Sequence, residues 1–156
     1  MALPKLETPT HELELPSTGE KIKYRPFLVK EQKILMMAQE SKDDRQIANS
    51  ITELVNACTF GKVDAANAPM FDIEYIFLKL RAKSVGETAS VRVLCQDDGE
   101  TYANVKIPLE GVAVQMTVEH TNEVQINDKT KLVLKYPRLV DMSGVPEGTD
   151  DYGRMF

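Results

Sequence analysis

Cys95 lies beside a tight polar turn, in the segment VRVLCQDDGETYANVKI of residues 91–107, where a zinc knuckle would place its first ligand. A structural zinc site needs about four cysteine or histidine ligands, usually delivered as two closely spaced pairs. The residue three positions after Cys95 is Asp98 rather than a second cysteine. The remaining thiol and imidazole side chains stand at distant positions: His11, Cys58 and His120. The spacing therefore predicts no metal site and no cofactor at this turn.

The alternation of side chains around Cys95 predicts a β-hairpin instead. Val91, Val93 and Cys95 recur at every second position, as they do when one face of a strand is buried. Asp98-Gly99 is a strong signal for a hairpin turn. We therefore expect Cys95 to face inward as a small apolar residue.

The side chains that could act as a nucleophile or a base have structural roles that account for them. Nucleophilic catalysis needs a hydroxyl or thiol beside a general base. Cys58 falls on the apolar stripe of a predicted helix, which favours a place in the core. His11 and His120 fall in segments rich in turn and polar residues, so we expect both on the surface. No catalytic residue is predicted.

Three adjacent aspartate pairs could suggest acid–base or divalent-ion chemistry: Asp43-Asp44, Asp97-Asp98 and Asp150-Asp151. Each pair falls at a predicted turn or helix start. Aspartate is favoured there because its carboxylate accepts hydrogen bonds from backbone amides and complements the helix dipole. Capping therefore accounts for the pairs. The glycine-rich loops that bind nucleotide phosphates are not present in the sequence.

The length and composition predict a single domain with a hydrophobic core. The chain has 156 residues, 42% of them hydrophobic, and a net charge of -5, which disfavours binding to nucleic acid. It contains no stretch of about 18 apolar residues and no basic leader, so we expect a soluble, cytosolic protein that does not enter a membrane. Two cysteines without a signal peptide predict reduced thiols.

The periodicity of the apolar residues predicts an α+β fold. Residues 13–24 read as an N-terminal β-hairpin, and helical spacing follows in KILMMAQE, after Ser41-Lys42-Asp43-Asp44, and in FDIEYIFLKLRAKS with Asp72 as N-cap. About three helices are therefore predicted.

From Thr88 onward the period is two, which predicts four or five antiparallel strands. Val112 to Val118 alternates strictly and is predicted to be one of them. We expect the helices to cover one face of this sheet. The predicted organisation is a single domain over residues 1–139, with the hairpin and helices in 1–86 and the β-hairpins in 87–139.

The C-terminal segment, residues 140–156, reads as a linker followed by the start of a helix. Thr149 precedes two aspartates, which is a helix N-terminal signal with almost no helix after it. The residues alone leave open whether this is a frayed tail or the beginning of an element that is cut short.

Two sets of side chains are candidate partner contacts. Unbranched, polarizable methionines suit adaptable protein contacts, and the third helix carries a second apolar strip beyond its main stripe, although core packing also accounts for both. Alternation places three cations on one face of the second strand, where they meet an acidic partner or simply keep the face solvated. The candidates are Met36, Met37, Tyr75, Leu78, Lys21, Lys23 and Arg25.

Several long phrases of the sequence resemble the T-even (T4-like) bacteriophage baseplate hub protein family. They are LPSTGEKIKYRPFLVKEQKILMMAQES, FDIEYIFLKLRAKSVGE and VPEGTDDYGRMF. The resemblance implies a non-enzymatic virion-assembly protein whose ligands are other phage tail and baseplate hub proteins. It also implies a location in the host cytoplasm during assembly, or in the tail baseplate of the virion.

The resemblance bears on the C-terminal segment and on the hairpin turn. Family members continue beyond this chain with acidic helical sequence, which favours a helix opening at Thr149. Relatives sometimes carry a cysteine pair around the hairpin turn, but here Gln96-Asp97-Asp98 replaces the second cysteine, so no zinc knuckle is carried over.

Two functions of different class therefore stand at this point. The first is a baseplate hub component or assembly factor that binds through strand edges and apolar helix faces; a transient chaperone and a permanent subunit place the same demands on the sequence. The alternative is a metal-dependent or carboxylate-based hydrolase associated with the phage tail, which needs a facing pair of carboxyl groups. The spacing specifies no such pair.

Overall fold

A computed structural model describes residues 8–142 of the chain. Its first part is a β-hairpin followed by three helices, which confirms the predicted elements of this region. The elements are β1 (His11–Glu14), β2 (Lys21–Tyr24), α1 (Val29–Ser41), α2 (Asp44–Cys58) and α3 (Met70–Ser84).

The second part consists of two further hairpins and a short helix. They are β3 (Thr88–Leu94), β4 (Tyr102–Pro108), β5 (Glu123–Asn127), β6 (Thr130–Val133) and α4 (Leu139–Met142). Helices and antiparallel strands thus follow one another in the order that the sequence predicts, and the α+β class is confirmed.

The core forms between the first hairpin and the helices. Leu13 pairs with Ile22 across β1 and β2, and both side chains are buried. They pack with apolar side chains of α2 and α3 and of the loop between them: Leu54, Val55, Cys58, Val63, Ala65, Ile73, Ile76 and Leu80. Cys58 is completely buried, as its position on a helical stripe predicts.

The helix starts agree with the sequence in one case and differ in another. Asp43 caps α2, with its carboxylate accepting hydrogen bonds from the backbone amides of Arg45 and Gln46. The prediction that Asp72 caps α3 is wrong, because the helix already begins at Met70 behind Pro69. Asp72 lies in the first turn of α3, where its carboxylate accepts hydrogen bonds from Ser17 in the turn between β1 and β2.

The strands do not form one sheet, contrary to the prediction. Three separate two-stranded sheets are present in residues 8–142, namely β1-β2, β3-β4 and β5-β6. The segment from Val112 to Val118 is irregular rather than a strand. The Nζ of Lys79 on α3 donates to the carbonyl oxygens of Glu110 and Val112, at 2.8 and 3.1 Å, so these acceptors serve a side chain instead of a ladder.

The β3-β4 and β5-β6 hairpins, here called the C-terminal hairpins, are each held close to one end of α3. The buried Leu109 donates its backbone N–H to the carbonyl of Glu87, which closes the β3-β4 hairpin just after α3. At the other end of α3, Met70 donates to the carbonyl of Pro137, and Tyr136 meets Phe71 edge to face. The hairpins therefore extend from the two ends of one helix. No helix within residues 8–142 has the length and apolar character needed to cross a bilayer.

Candidate protein-binding surfaces

The β3-β4 hairpin has one apolar face that the rest of the described chain leaves uncovered. Residues directly opposite one another in an antiparallel pair point to the same face. Val91 pairs with Val105 in this way, and Val93 pairs with Ala103, while 47% of Val93 is accessible to solvent. The face consists of Ala89, Val91, Val93, Ala103, Val105 and Ile107.

The opposite face of the same hairpin is polar in its middle and ends at the turn with the pair Leu94 and Tyr102. Ser90 pairs with Lys106 and Arg92 with Asn104. The guanidinium of Arg92 lies 4.4 Å from the centre of the Tyr102 ring, a cation–π contact. A strand pair with one apolar and one polar face is typical of a sheet that packs on something apolar. The prediction that Cys95 faces inward is therefore wrong for this chain alone. Cys95 is half-buried, and Val91 and Val93 on the same face are exposed.

The β5-β6 hairpin repeats this arrangement on a smaller scale. Val124 and Leu132 are opposite one another, and both are exposed. Ile126 and Leu134 are exposed as well. Contiguous apolar surface of this kind marks interaction sites on soluble proteins. Within the described residues, both hairpins also keep an unpaired edge on every strand, and such edges accept an added strand from another chain.

A second apolar surface lies on α1, and we call it the α1 face. Met36 and Met37 are 58% and 62% exposed, so the structure places both predicted contact residues at the surface. Val29 and Ile34 lie on the same helix and are also exposed. This helix thus presents outward apolar side chains in addition to the side that packs on α2.

Arg25 is not part of the exposed basic face that the sequence predicts. It follows β2, and its guanidinium forms two hydrogen bonds to the carboxylate of Glu31, at 2.7 and 3.0 Å. Glu31 also accepts from the backbone N–H of Leu28 at 2.6 Å, which caps the start of α1. The hydrogen bond from Arg25 is the main reason that the pKa of Glu31 is lowered and that of Arg25 is raised.

Lys21 and Lys23 do share an exposed face of β2, as predicted. The ammonium of Lys23 lies 3.7 Å from the carboxylate of Glu12 on the neighbouring strand, and both side chains are largely exposed. A pair of this kind contributes little to stability. These two lysines remain candidate contacts, whereas Arg25 is engaged with α1.

Tyr75 and Leu78, on α3, are half-buried. Tyr75 packs against the core, and the Nζ of Lys79 lies 5.0 Å from the centre of its ring. Tyr75 also lines an open cleft of about 260 Å³ together with Leu13, Tyr24 and Lys83. The second apolar strip of α3 is therefore covered in part by the chain itself, and a contact role for these two residues stays a prediction.

The thiols and the imidazoles have different surroundings. The Cys58 thiol is buried, and burial raises its pKa to about 11. The His120 ring lies nearly parallel to that of Tyr136, with its Nε2 2.5 Å from the tyrosine hydroxyl, while His11 lies against Tyr24. Each histidine thus contacts a tyrosine side chain.

In two of the predicted aspartate pairs, one member acts as a capping group: Asp43 at α2 and Asp98 in the β3-β4 turn. Asp98 accepts hydrogen bonds from the backbone of Glu100 and Thr101 and from the Thr101 hydroxyl in the β3-β4 turn, and these lower its pKa. Among residues 8–142, no three His, Cys, Asp or Glu side chains come together as a metal-binding group. The pair Asp150-Asp151 lies outside the described residues.

The comparison with protein families decides the wider context of these surfaces. A family model described as T4 bacteriophage base plate protein matches residues 8–156. The chain belongs to the T4 bacteriophage base plate protein family. No curated protein and no solved structure matches it.

Membership of the base plate protein family agrees with the resemblance seen in the sequence phrases. It supports a structural or assembly role in a phage baseplate and interaction with other baseplate components. The uncovered surfaces are candidate sites for such interactions. Base plate proteins work as parts of an assembly, where each exposed apolar face can be covered by a neighbouring subunit.

Proposed function

We propose that this base plate protein is a non-enzymatic component or assembly factor of the baseplate hub and acts through protein–protein contacts. It does so in the host cytoplasm during assembly, and its partners are the tail and hub proteins of the same phage. The observation that carries the proposal is the pair of C-terminal hairpins, each of which leaves apolar side chains uncovered.

The energetics of the hairpins support this proposal. An isolated two-stranded hairpin is only marginally stable in water, and three or more strands or a packed face are needed for independent stability. Val91 and Val105 make their cross-strand contact with solvent on one side. A partner that covers this face removes its apolar area from water, at about 25 cal/mol per Å². Partner binding would then complete two elements that are incomplete in the chain alone.

The free edges support a specific mode of contact. Strand addition supplies main-chain hydrogen bonds, and side-chain pockets supply selectivity. The edge strand β3 has seven residues, long enough to pair with a partner strand. We infer that strand addition and face packing operate together, so that hub assembly is nucleated by the C-terminal hairpins.

The non-enzymatic part of the proposal rests on the thiols and histidines. The buried thiol of Cys58 has a pKa of about 11 and therefore stays protonated near neutral pH. Its neighbours in the core cluster are apolar side chains. No particular observation favours the hydrolase alternative.

The proposal is tested by co-expressing the full chain with each tail and baseplate protein of the same phage. Size-exclusion chromatography with native mass determination then identifies stoichiometric complexes. We expect at least one such complex, and its presence in or absence from finished virions separates a permanent subunit from a transient assembly factor. If the folded chain binds none of these proteins, the proposal is overturned.

A further inference from the structure

The α1 face carries positive charge that its own helix does not neutralise. Lys30 and Lys33 are both exposed and lie on the same side of α1 as Val29, Met36 and Met37. No ion pair joins either lysine to a described carboxylate. Lys30 also lies in the first turn of α1, where the helix dipole disfavours a cation. The arrangement therefore costs a little stability in the free chain.

The position of Glu31 shows why this charge is uncompensated. It is the single carboxylate between Val29 and Gln39, and it is buried beneath the helix. There it binds Arg25, so its charge is neutralised inside the protein rather than on the surface. The next acidic side chain on α1 is Glu40, near the end of the helix. The first three turns of the exposed side are thus apolar and cationic.

A groove beside Lys30 supplies the apolar part of the surface. It runs between α1 and α2, has a volume of about 210 Å³, and is lined by Lys30, Ile34, Leu54 and Ala57 among others. Its opposite rim carries one acidic residue, Glu53. Small-molecule sites are usually larger, at about 300–1,000 Å³, and more enclosed. A groove of this size instead fits one or two side chains of a docked helix.

We propose that the α1 face and the α1–α2 groove bind an amphipathic helix of another baseplate protein, whose apolar stripe is flanked by carboxylates. The apolar stripe fills the groove and covers Met36 and Met37. The carboxylates lie opposite Lys30 and Lys33, and a basic residue of the same helix meets Glu53. This inference rests on the proposed function, since it names the kind of partner that a hub assembly protein would need on its helical side.

Charge argues for this occupant over a second copy of the chain. A second copy that packs its own α1 face here brings lysines against lysines, which repels. An acidic helix gains from the same two cations and also relieves the unfavourable position of Lys30 in the first turn of α1. Methionine side chains adapt to the shape of a docked helix, as at other helix-binding surfaces.

The test places a photo-crosslinking phenylalanine analogue at Met37 in the full chain, co-expressed in turn with each baseplate protein of the phage. Mass spectrometry of the cross-linked peptide identifies the segment that covers the α1 face. We expect a predicted helix with an apolar stripe and flanking Asp or Glu residues. A cross-link to a second copy, to another part of the same chain, or to a segment without carboxylates overturns the inference.

Charge reversal provides the second measurement. Lys30→Glu combined with Lys33→Glu should weaken the complex at least tenfold, and changing the mapped carboxylates of the partner to lysine should restore it. Lys62→Glu, in the exposed loop after α2, is the control and should leave the affinity within about twofold. Circular dichroism confirms that each variant is folded.

The two possible failures are distinguishable. A complex that forms normally with the double variant overturns the inference about α1 and leaves the proposed function intact. A chain that forms no complex with any baseplate protein overturns both.

Discussion

Arg25 and Glu31 form a two-point ion pair beneath the first turn of α1, with Nη2 to Oε1 at 2.7 Å and Nη1 to Oε2 at 3.0 Å. Arg25 also donates its backbone N–H to the carbonyl of Cys58 at the end of α2. Arg25, the residue that follows β2, therefore joins the first hairpin to α1 and α2. The pair holds Glu31, the only acidic side chain of residues 29–39, on the buried side of α1, which leaves the exposed side of these residues without a carboxylate.

Replacing Glu31 by alanine should destabilise the chain by about 3 kcal/mol, because the guanidinium of Arg25 would stay largely buried without a counterion. Chemical denaturation measures the change. Lys23→Ala is the matched control: its ion pair with Glu12 is exposed, and its loss should change the free energy of unfolding by less than about 1 kcal/mol. Equal effects of the two variants would contradict this account.

The Arg25–Glu31 pair should also make stability depend on pH. The folded pKa of Glu31 is lowered below its ordinary value of 4.5, first by the hydrogen bond from Arg25. A lowered pKa means that the stabilisation is fully present above pH 4.5 and is lost as the pH falls through the folded pKa.

The measurement is the difference in unfolding free energy between the natural chain and Glu31→Gln, from pH 7 downward. We expect a constant difference at neutral pH that shrinks below about pH 4.5. Shared contributions of exposed carboxylates cancel in this difference. A difference that grows as the pH falls would be incompatible with the assignment.

Ser17 and Asp72 should couple the first hairpin turn to α3. The backbone N–H of Ser17 donates to Asp72 at 3.1 Å, its hydroxyl donates to the other carboxylate oxygen, and Asp72 is only 2% exposed. Asp72→Ala should cost about 2 kcal/mol because the half-buried donors of Ser17 lose their acceptor. A double-mutant cycle with Ser17→Ala should show a coupling of about 1 kcal/mol or more, whereas simple additivity would show that the two residues act independently.

The two thiols should differ sharply in reactivity. Cys58 is completely buried with a pKa near 11, while Cys95 is half-buried at the edge of a hairpin. At pH 8 we expect an alkylating reagent to modify Cys95 in the folded chain and to reach Cys58 only after unfolding. The variant Cys95→Ser isolates the second thiol. Rapid modification of Cys58 in the folded form of this variant would contradict its place in the core.

Local patterns predicted the elements better than they predicted their assembly. The helical stripe through Leu54, Val55 and Cys58 is confirmed, because apolar residues at a 3.6-residue period share one face of a helix but fall on both faces of a strand. The Asp98-Gly99 turn is confirmed as well, since Gly99 adopts a positive φ of 67° that the hairpin turn requires.

Long-range partners were harder to predict. Nothing in the spacing of Ser17 and Asp72, 55 residues apart, indicates their contact. Alternation from Val112 to Val118 predicted a strand, but a strand also needs a neighbour, and in this chain Lys79 takes the nearby carbonyls. Alternation likewise identified the apolar face around Val91 without showing that the chain leaves it uncovered. Only the register of β3 and β4 and the exposure of their side chains show that this face is uncovered.

The most direct test of the central claim is the affinity of the chain for its baseplate partner when one hairpin face is changed at a time. Val91→Glu alters the apolar face of β3, and Ser90→Glu adds the same charge to the polar face one residue earlier. Because both sites are exposed, both variants should fold with nearly the stability of the natural chain. Binding measured by calorimetry should weaken at least tenfold for Val91→Glu and change less than about twofold for Ser90→Glu. Equal affinities for the two variants would contradict a role for the hairpin face in baseplate assembly.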